Sequence, residues 1–262
     1  MKYGLLGTNI KHSLSHLLHP LIAKVNGYDV DYELIDIDET ELEKYINLLR
    51  AGVYQGYNIT TPFKQKVIPY LDYVDSNVER LGACNTVMVE NNKLYGYNTD
   101  HYGFLKTVED NHLTPTDAYI LGSGGAARIV FDVLKEKGFK VTTVSREAKI
   151  DDYFGKMIDY HTFYQIKEIP LLINATPVGA YPKFGNPLKK SDQRFDYVID
   201  LIYNPPVTEI MQLGKRHING MEMLVYQGIL TQSIWQKKTL KTDQKSVDTL
   251  KGAIYEHIRK SI

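Results

Sequence analysis

Apolar and polar positions along the chain follow two periods. Short apolar runs, bounded by turn residues, alternate with longer stretches in which apolar residues recur at helical spacing. This rhythm predicts an α/β architecture. Residues 2–7 (KYGLLG) read as a first strand, followed by a helical stretch to about Asn26. Residues 31–36 (DYELID) read as a second strand, 39–51 as an amphipathic helix, and 54–59 as a third strand. A short helix is expected over 75–81. TVMVE and KLYGY flank Asn91-Asn92, and Asn tolerates a positive φ, so the pair predicts a tight hairpin turn. Residues 101–111 read as a helix that ends at the Pro-containing turn HLTPTD.

A second pattern starts at Ala118. AYILG is an apolar strand running into GSGGAAR and a helix to about Lys137. KVTTVS, LLINAT and YVIDLIY are further strands, and Pro177, Gly179, Pro182, Gly185 and Pro187 mark the connection between the last two. Helices are expected over about 221–236 and 246–260. The chain divides between the hairpin region and Ala118, and the tail helices can pack on either half.

With 262 residues the chain suits one large or two small domains. Its 31 Lys and Arg balance 31 Asp and Glu, so no global positive field exists to hold nucleic acid or an anionic membrane. The single cysteine, Cys84, excludes an intramolecular disulfide and a cysteine-cluster metal site. The first apolar stretch is too short for a signal peptide, and no apolar run approaches the ~20 residues of a membrane span. The expectation is a soluble, cytoplasmic protein with no metal, nucleic-acid or membrane partner.

The strongest local signal is Gly122-Ser123-Gly124-Gly125-Ala126-Ala127-Arg128. It follows a strand, opens a helix, and fits G-x-G-x-x-G/A. Glycines there allow a tight turn and close backbone approach, while the helix N-terminus receives a pyrophosphate. A glycine-rich turn of an α/β protein that holds no nucleotide has the same outline. The end of the next strand discriminates cofactors. A carboxylate there would bind a ribose hydroxyl, whereas this chain has Ser145 followed by Arg146. An Arg can pair a 2′-phosphate bidentately, which favours NADP. Glu147 beside it counts against that reading, and a solvated surface Arg is the plain alternative.

A second constellation is Asn58-Ile59-Thr60-Thr61-Pro62-Phe63-Lys64. Thr61 fits an N-cap and Pro62 a first helical residue. Lys64 would then face the positive end of a helix dipole, an unfavourable place for an ammonium and a useful one for a general acid/base. A capped helix with a surface Lys explains the same residues. Asn85 and Asp100 lie at the outer ends of the two antiparallel hairpin strands and can be neighbours. Asp100 can orient Lys64 or hold a hydroxyl, and it also fits the N-cap of the following helix. Ser13 and Ser15, after the first strand, offer two hydroxyls to a carboxylate or serve as helix caps. His12, His16 and His19 read as polar turn or helix surface.

Together these segments resemble the shikimate dehydrogenase family. The resemblance runs almost end to end, through HSLS, NITTPFK, GACNTV, GYNTDHYG, GSGGAAR, NATPVGA, DLIYNPPVT and GMEMLVYQG in the family's order. It implies two α/β domains: a substrate domain formed by 1–101 with the C-terminal helices of 225–262 returning to it, and a Rossmann-type NADP-binding domain over 102–224. It implies the NADP-dependent, reversible reduction of 3-dehydroshikimate to shikimate. Carried over by position, it makes Lys64 and Asp100 the catalytic pair. Ser13 and Ser15 become carboxylate ligands assisted by Tyr203, and Asn58, Thr60, Asn85 and Gln227 bind substrate hydroxyls. Gly122, Ser123, Gly124, Gly125, Ala126, Arg128, Ser145, Arg146 and Thr176 contact the dinucleotide, and Met223 lines the nicotinamide pocket. A monomer or homodimer is expected.

The chain departs from the family pattern in places. Ser145-Arg146-Glu147 stands where Asn-Arg-Thr is common. The Pro that usually follows Ser-x-Ser is His16, with Pro20 four residues later, so the first helix is expected to start late or bend. Two rival readings remain. One is a quinate/shikimate paralogue that uses NAD, and the other is a catalytically silent dinucleotide-binding regulator.

Overall fold

The computed structural model describes residues 1–182, 184–190 and 192–260. It divides into two compact units, Met1–Gly103 with Leu224–His257, and Phe104–Met223 with the chain end from Ile258.

Unit 1 contains β1 (Lys2–Gly7), α1 (Ser15–Val25), β2 (Asp31–Asp36), α2 (Leu42–Arg50), β3 (Gly56–Ile59), α3 (Phe63–Lys66), β4 (Tyr73–Val74), α4 (Ser76–Leu81), β5 (Thr86–Glu90) and β6 (Lys93–Tyr97), and it ends within α5 (Thr99–Asp110). Its six strands lie in the order β2-β1-β3-β5-β6-β4. β1 pairs in parallel with β2 and β3, whereas β3, β5 and β6 are antiparallel to one another in turn. Alternation along β1 explains why both faces are covered. Tyr3 and Leu5 pack with Tyr32, Met88 and Trp235, while Leu6 packs on the other face with Ile46, Leu49 and Tyr57. A Cβ on Gly56 would meet the Trp235 indole at 2.3 Å, so only glycine lets that ring close over the strand. The expected hairpin turn is present, with Asn91 and Asn92 at φ 50 and φ 59.

Unit 2 contains β7 (Asp117–Leu121), α6 (Gly125–Glu136), β8 (Lys140–Ser145), β9 (Lys149–Asp151), β10 (Gly155–Asp159), α7 (Tyr160–Phe163), β11 (Glu168–Asn174), β12 (Arg194–Asp200) and β13 (Gly214–Asn219). The sheet order is β13-β12-β11-β7-β8-β10-β9, parallel throughout except for edge strand β9. Strands fan outward from β7 in two directions, the order of doubly wound dinucleotide folds, and the reversal falls between β7 and β11. α8 (Met221–Gln236) begins in unit 2 and continues into unit 1, and α9 (Gln244–Lys260) follows.

Three local expectations are corrected. α1 starts at Ser15 with Pro20 in its interior, so the proline does not delay it. α3 is a single turn capped by Pro62, and Phe63 N–H closes a turn on the Thr60 carbonyl at 2.8 Å, so Thr61 is no N-cap. One turn aligns few peptide dipoles, and the dipole expected at Lys64 is correspondingly short. Asp100 lies inside the first turn of α5 and is not its N-cap. β9, β10 and β13 were not foreseen. They are short or polar on exposed faces and lack a period-two signal.

Candidate active site

The end of β3, the β5–β6 hairpin and the start of α5 bring a set of polar side chains together in unit 1. Lys64 Nζ donates to Asp100 Oδ2 at 2.7 Å. The Lys64 side chain keeps 33% of its surface exposed and Asp100 keeps 14%, so the pair is reachable from solvent without being freely hydrated. The backbone fixes both ends. Cys84 N–H donates to the Lys64 carbonyl at 2.8 Å, tying α3 to the turn before β5. Asn85 Oδ1 accepts from Thr99 N–H at 2.8 Å, and Asn85 Nδ2 donates to Thr99 Oγ1 at 2.9 Å. Asn85, in the turn before β5, thus supplies the partner that the helix start needs.

Asn58 is buried, and its amide is engaged within the protein. Its Oδ1 accepts from the Tyr32 hydroxyl at 2.8 Å, and its Nδ2 reaches the Asn85 carbonyl and Thr86 Oγ1, both at 3.2 Å. Tyr32 stacks on His19 at 4.3 Å, and burial holds its phenol well above the usual range. His19 is fully buried, and desolvation pushes it down to about 3, so its imidazole is neutral at any ordinary pH. Ser13 Oγ donates to Ser15 Oγ at 3.1 Å, and no side chain caps α1 at its N-cap Leu14. Thr60 is half-buried, with its methyl against Gly7. Gln227, on α8, is nearly buried and donates to the Leu224 carbonyl at 2.8 Å.

In unit 2 the glycine loop joins β7 to α6. Gly122 has φ +103 and stands 3.1 Å, by its would-be Cβ, from the methyl of Thr176, two residues beyond β11. Ser123 to Ala126 are exposed. A Cβ built on Gly124 or Gly125 would meet no protein atom within 4 Å, so the protein's own packing does not demand these glycines. No side-chain cap or first-turn acid occupies the start of α6. A bare loop, free helix N–H groups and a parallel sheet's switch point fit a dinucleotide pyrophosphate. Arg128 lies over the Tyr153 ring at 4.8 Å. Ser145 donates to the Glu147 carbonyl, and Arg146 is exposed at the end of β8. Thr176 Oγ1 donates to Asn174 Oδ1 at 2.7 Å. Tyr203 and Met223 are half-buried members of unit 2.

Two groups of polar residues were not foreseen. Thr86, Thr99 and Thr231 form a buried hydroxyl cluster beside Asn85. Asp200, at the end of β12, is fully buried and accepts from Thr208 Oγ1 at 2.6 Å, Ile202 N–H at 3.0 Å and Asn174 Nδ2 at 3.0 Å. Burial pushes its carboxyl up to about 6. The available signal was a carboxylate closing an apolar strand in YVIDLIY, where a buried acid needs partners.

Among the described residues no group of His, Cys, Asp and Glu has metal-binding geometry, and no helix is long and apolar enough to cross a membrane. The sheet order and glycine loop define unit 2 as a Rossmann-type dinucleotide-binding fold, carried in one chain with an α/β unit that presents a Lys–Asp pair. Residues 5–87 match the family model for the shikimate dehydrogenase substrate binding domain. The chain is 38% identical to the NADP(+) shikimate dehydrogenase of Clostridium beijerinckii over 247 residues, covering 90% of this chain and 92% of that one. A crystal structure of shikimate dehydrogenase 1 from Peptoclostridium difficile superposes with a TM-score of 0.88 at 32% identity, covering 98% of each chain. The Thermus thermophilus enzyme, solved with NADP(H) and shikimate, gives 0.83 at 27% identity over 100% of both chains. The chain belongs to the shikimate dehydrogenase family.

Proposed function

We propose that the chain catalyses the reversible, NADP-dependent interconversion of 3-dehydroshikimate and shikimate. The observation that carries this reading is the Lys64–Asp100 contact at 2.7 Å, held in place by Asn85 and Thr99. NADP, when bound, would supply the hydride acceptor or donor for the carbinol carbon. Lys64 Nζ moves the hydroxyl proton, and Asp100 keeps that nitrogen in line. Asn58, Thr60, Asn85 and Gln227 bind the ring hydroxyls, and Ser13 with Ser15 receives the carboxylate. The α6 N-terminus and the loop from Gly122 to Arg128 hold the pyrophosphate, with Ser145 and Thr176 alongside. Arg146 reads the 2′-phosphate. Tyr203 and Met223 keep the roles that the family resemblance implies. A cytoplasmic location and a monomeric or homodimeric state belong to the same reading.

The test is the absorbance of the reduced nicotinamide in four assays, with shikimate or quinate as substrate and NADP or NAD as acceptor. The fastest turnover is expected with shikimate and NADP. Preference for quinate with NAD would transfer the chain to the paralogous activity. Cofactor binding without turnover on either acid would make it a regulator.

A further inference from the structure

We propose that Thr231 is a positioning residue for the Lys64–Asp100 pair, acting through Thr99; this rests on the function proposed above. Thr231 sits one turn after Gln227 on α8 and is fully buried. Its Oγ1 lies 2.9 Å from Thr86 Oγ1, 3.1 Å from Thr99 Oγ1 and 3.4 Å from Asn58 Nδ2. It is the point where α8 meets β5 and the first turn of α5.

Proton accounting shows why this hydroxyl is needed. Asn85 Oδ1 has two lone pairs. Thr99 N–H takes one at 2.8 Å, and the hydroxyls of Thr86 and Thr99, each 3.2 Å away, compete for the other. At least one threonine proton must therefore go elsewhere within a buried cluster, and Thr231 Oγ1, at 2.9 Å from Thr86 and 3.1 Å from Thr99, is a nearer acceptor than the 3.4 Å contact between those two hydroxyls. Removing it leaves that buried proton only the long Thr86–Thr99 contact at 3.4 Å, and rotation of Thr86 or Thr99 to shorten it is the available relief. Rotation of Thr99 disturbs the residue next to Asp100 and loosens the Asn85 contact that starts α5. Thr231 touches neither Lys64 nor Asp100 directly, so its influence is on their alignment. Misplacement of an acid/base group is costly even when the group itself is intact.

The test uses the full chain with Thr231→Val, which keeps the volume, and Thr231→Ser, which keeps the hydroxyl. Steady-state kinetics and a thermal melt are recorded for each. Thr231→Val is expected to lower kcat about tenfold, more than it changes KM for shikimate, while Thr231→Ser restores kcat. A Val variant with wild-type kcat and a lowered melting midpoint would show a cluster that serves stability alone and would overturn the proposal. Equal loss in Ser and Val would show that keeping the hydroxyl does not preserve kcat, and would overturn it too. If the Val variant does not fold, Thr231→Cys replaces it, with a weaker hydrogen-bonding group of similar bulk. Its kcat is expected below that of Ser, and a wild-type kcat in Cys overturns the proposal. Absence of turnover in the unmodified chain is a separate result that would defeat the proposed function itself.

Discussion

Lys64 and Asp100 meet at 2.7 Å although 36 residues separate them in the chain. Each arrives from the end of a regular element, and backbone bonds from Cys84 and Thr99 hold those ends. A surface ion pair contributes little to stability, so this degree of support is better explained by a need for alignment.

Lys64→Ala should therefore reduce kcat by about 10²–10⁴, the usual loss when an acid/base group is removed. Shikimate should still bind, more weakly, because the hydroxyl and carboxylate ligands remain. Steady-state kinetics on a variant shown to be folded by circular dichroism provides the check. Near-normal kcat would remove Lys64 from the proposed mechanism.

Arg146→Ala should weaken NADP far more than NAD. Arg146 is exposed at the end of β8, where it can meet a phosphate. Loss of a charge-assisted, bidentate contact costs about 1.5–3 kcal/mol, and NAD has no 2′-phosphate to lose. Fluorescence titration with each cofactor measures both constants. Equal losses would shift attention from Arg146 to the remainder of the β8–β9 connection.

Asp200 makes stability depend on pH in an unusual direction. Its carboxyl is pushed from 3.8 to about 6 by burial, so the folded protein binds the proton more tightly than the unfolded chain. The stability linked to that proton is fully present below about pH 4 and is lost as pH rises through 6. The span between these values corresponds to about 3 kcal/mol at most. Asp200→Asn removes the titration. Its stability relative to the unmodified protein should rise between pH 4.5 and pH 7 (about those values) by up to that amount. Urea unfolding of both proteins at both pH values decides it, and a difference independent of pH would contradict the assigned cause.

Much of this was legible in the sequence because strong periods and turn chemistry coincided. β2 and β8 occupy the expected residues, 31–36 and 140–145, and α8 the expected 221–236. Asn91-Asn92 turns the hairpin as its φ tolerance required. GSGGAAR joins strand to helix as its glycines demanded. Polar interiors were not legible. Thr231 stands in a mostly apolar helix, and nothing in its local pattern says which face meets Thr86 and Thr99. His19 reads as helix surface, yet it is stacked on Tyr32 and fully buried, because the partner that makes its burial tolerable, Gln232, comes 213 residues later. Local capping rules also misplace Thr61 and Asp100: Pro62 stands at the N-cap of α3, and Asn85, distant in sequence, supplies the hydrogen bond at α5.

Ser13 and Ser15 separate a binding role from a capping role. Their hydroxyls are 3.1 Å apart, and Ser15 N–H reaches Ser13 Oγ only at 3.3 Å. The N-cap of α1 is Leu14, with no side-chain bond, so neither serine carries the helix start. A double Ser13→Ala, Ser15→Ala variant should accordingly keep its melting midpoint within a few degrees. Its KM for shikimate should rise strongly while kcat changes little, because a carboxylate remote from the reacting carbon is bound alike in the ground and transition states. An ester of shikimate, already without the charge, should lose less affinity from the double substitution than shikimate does. The NADP dissociation constant should stay constant, since the glycine loop belongs to unit 2. An unchanged KM with a collapsed melting midpoint would instead make the two hydroxyls structural, and the carboxylate would have to be sought at other donors.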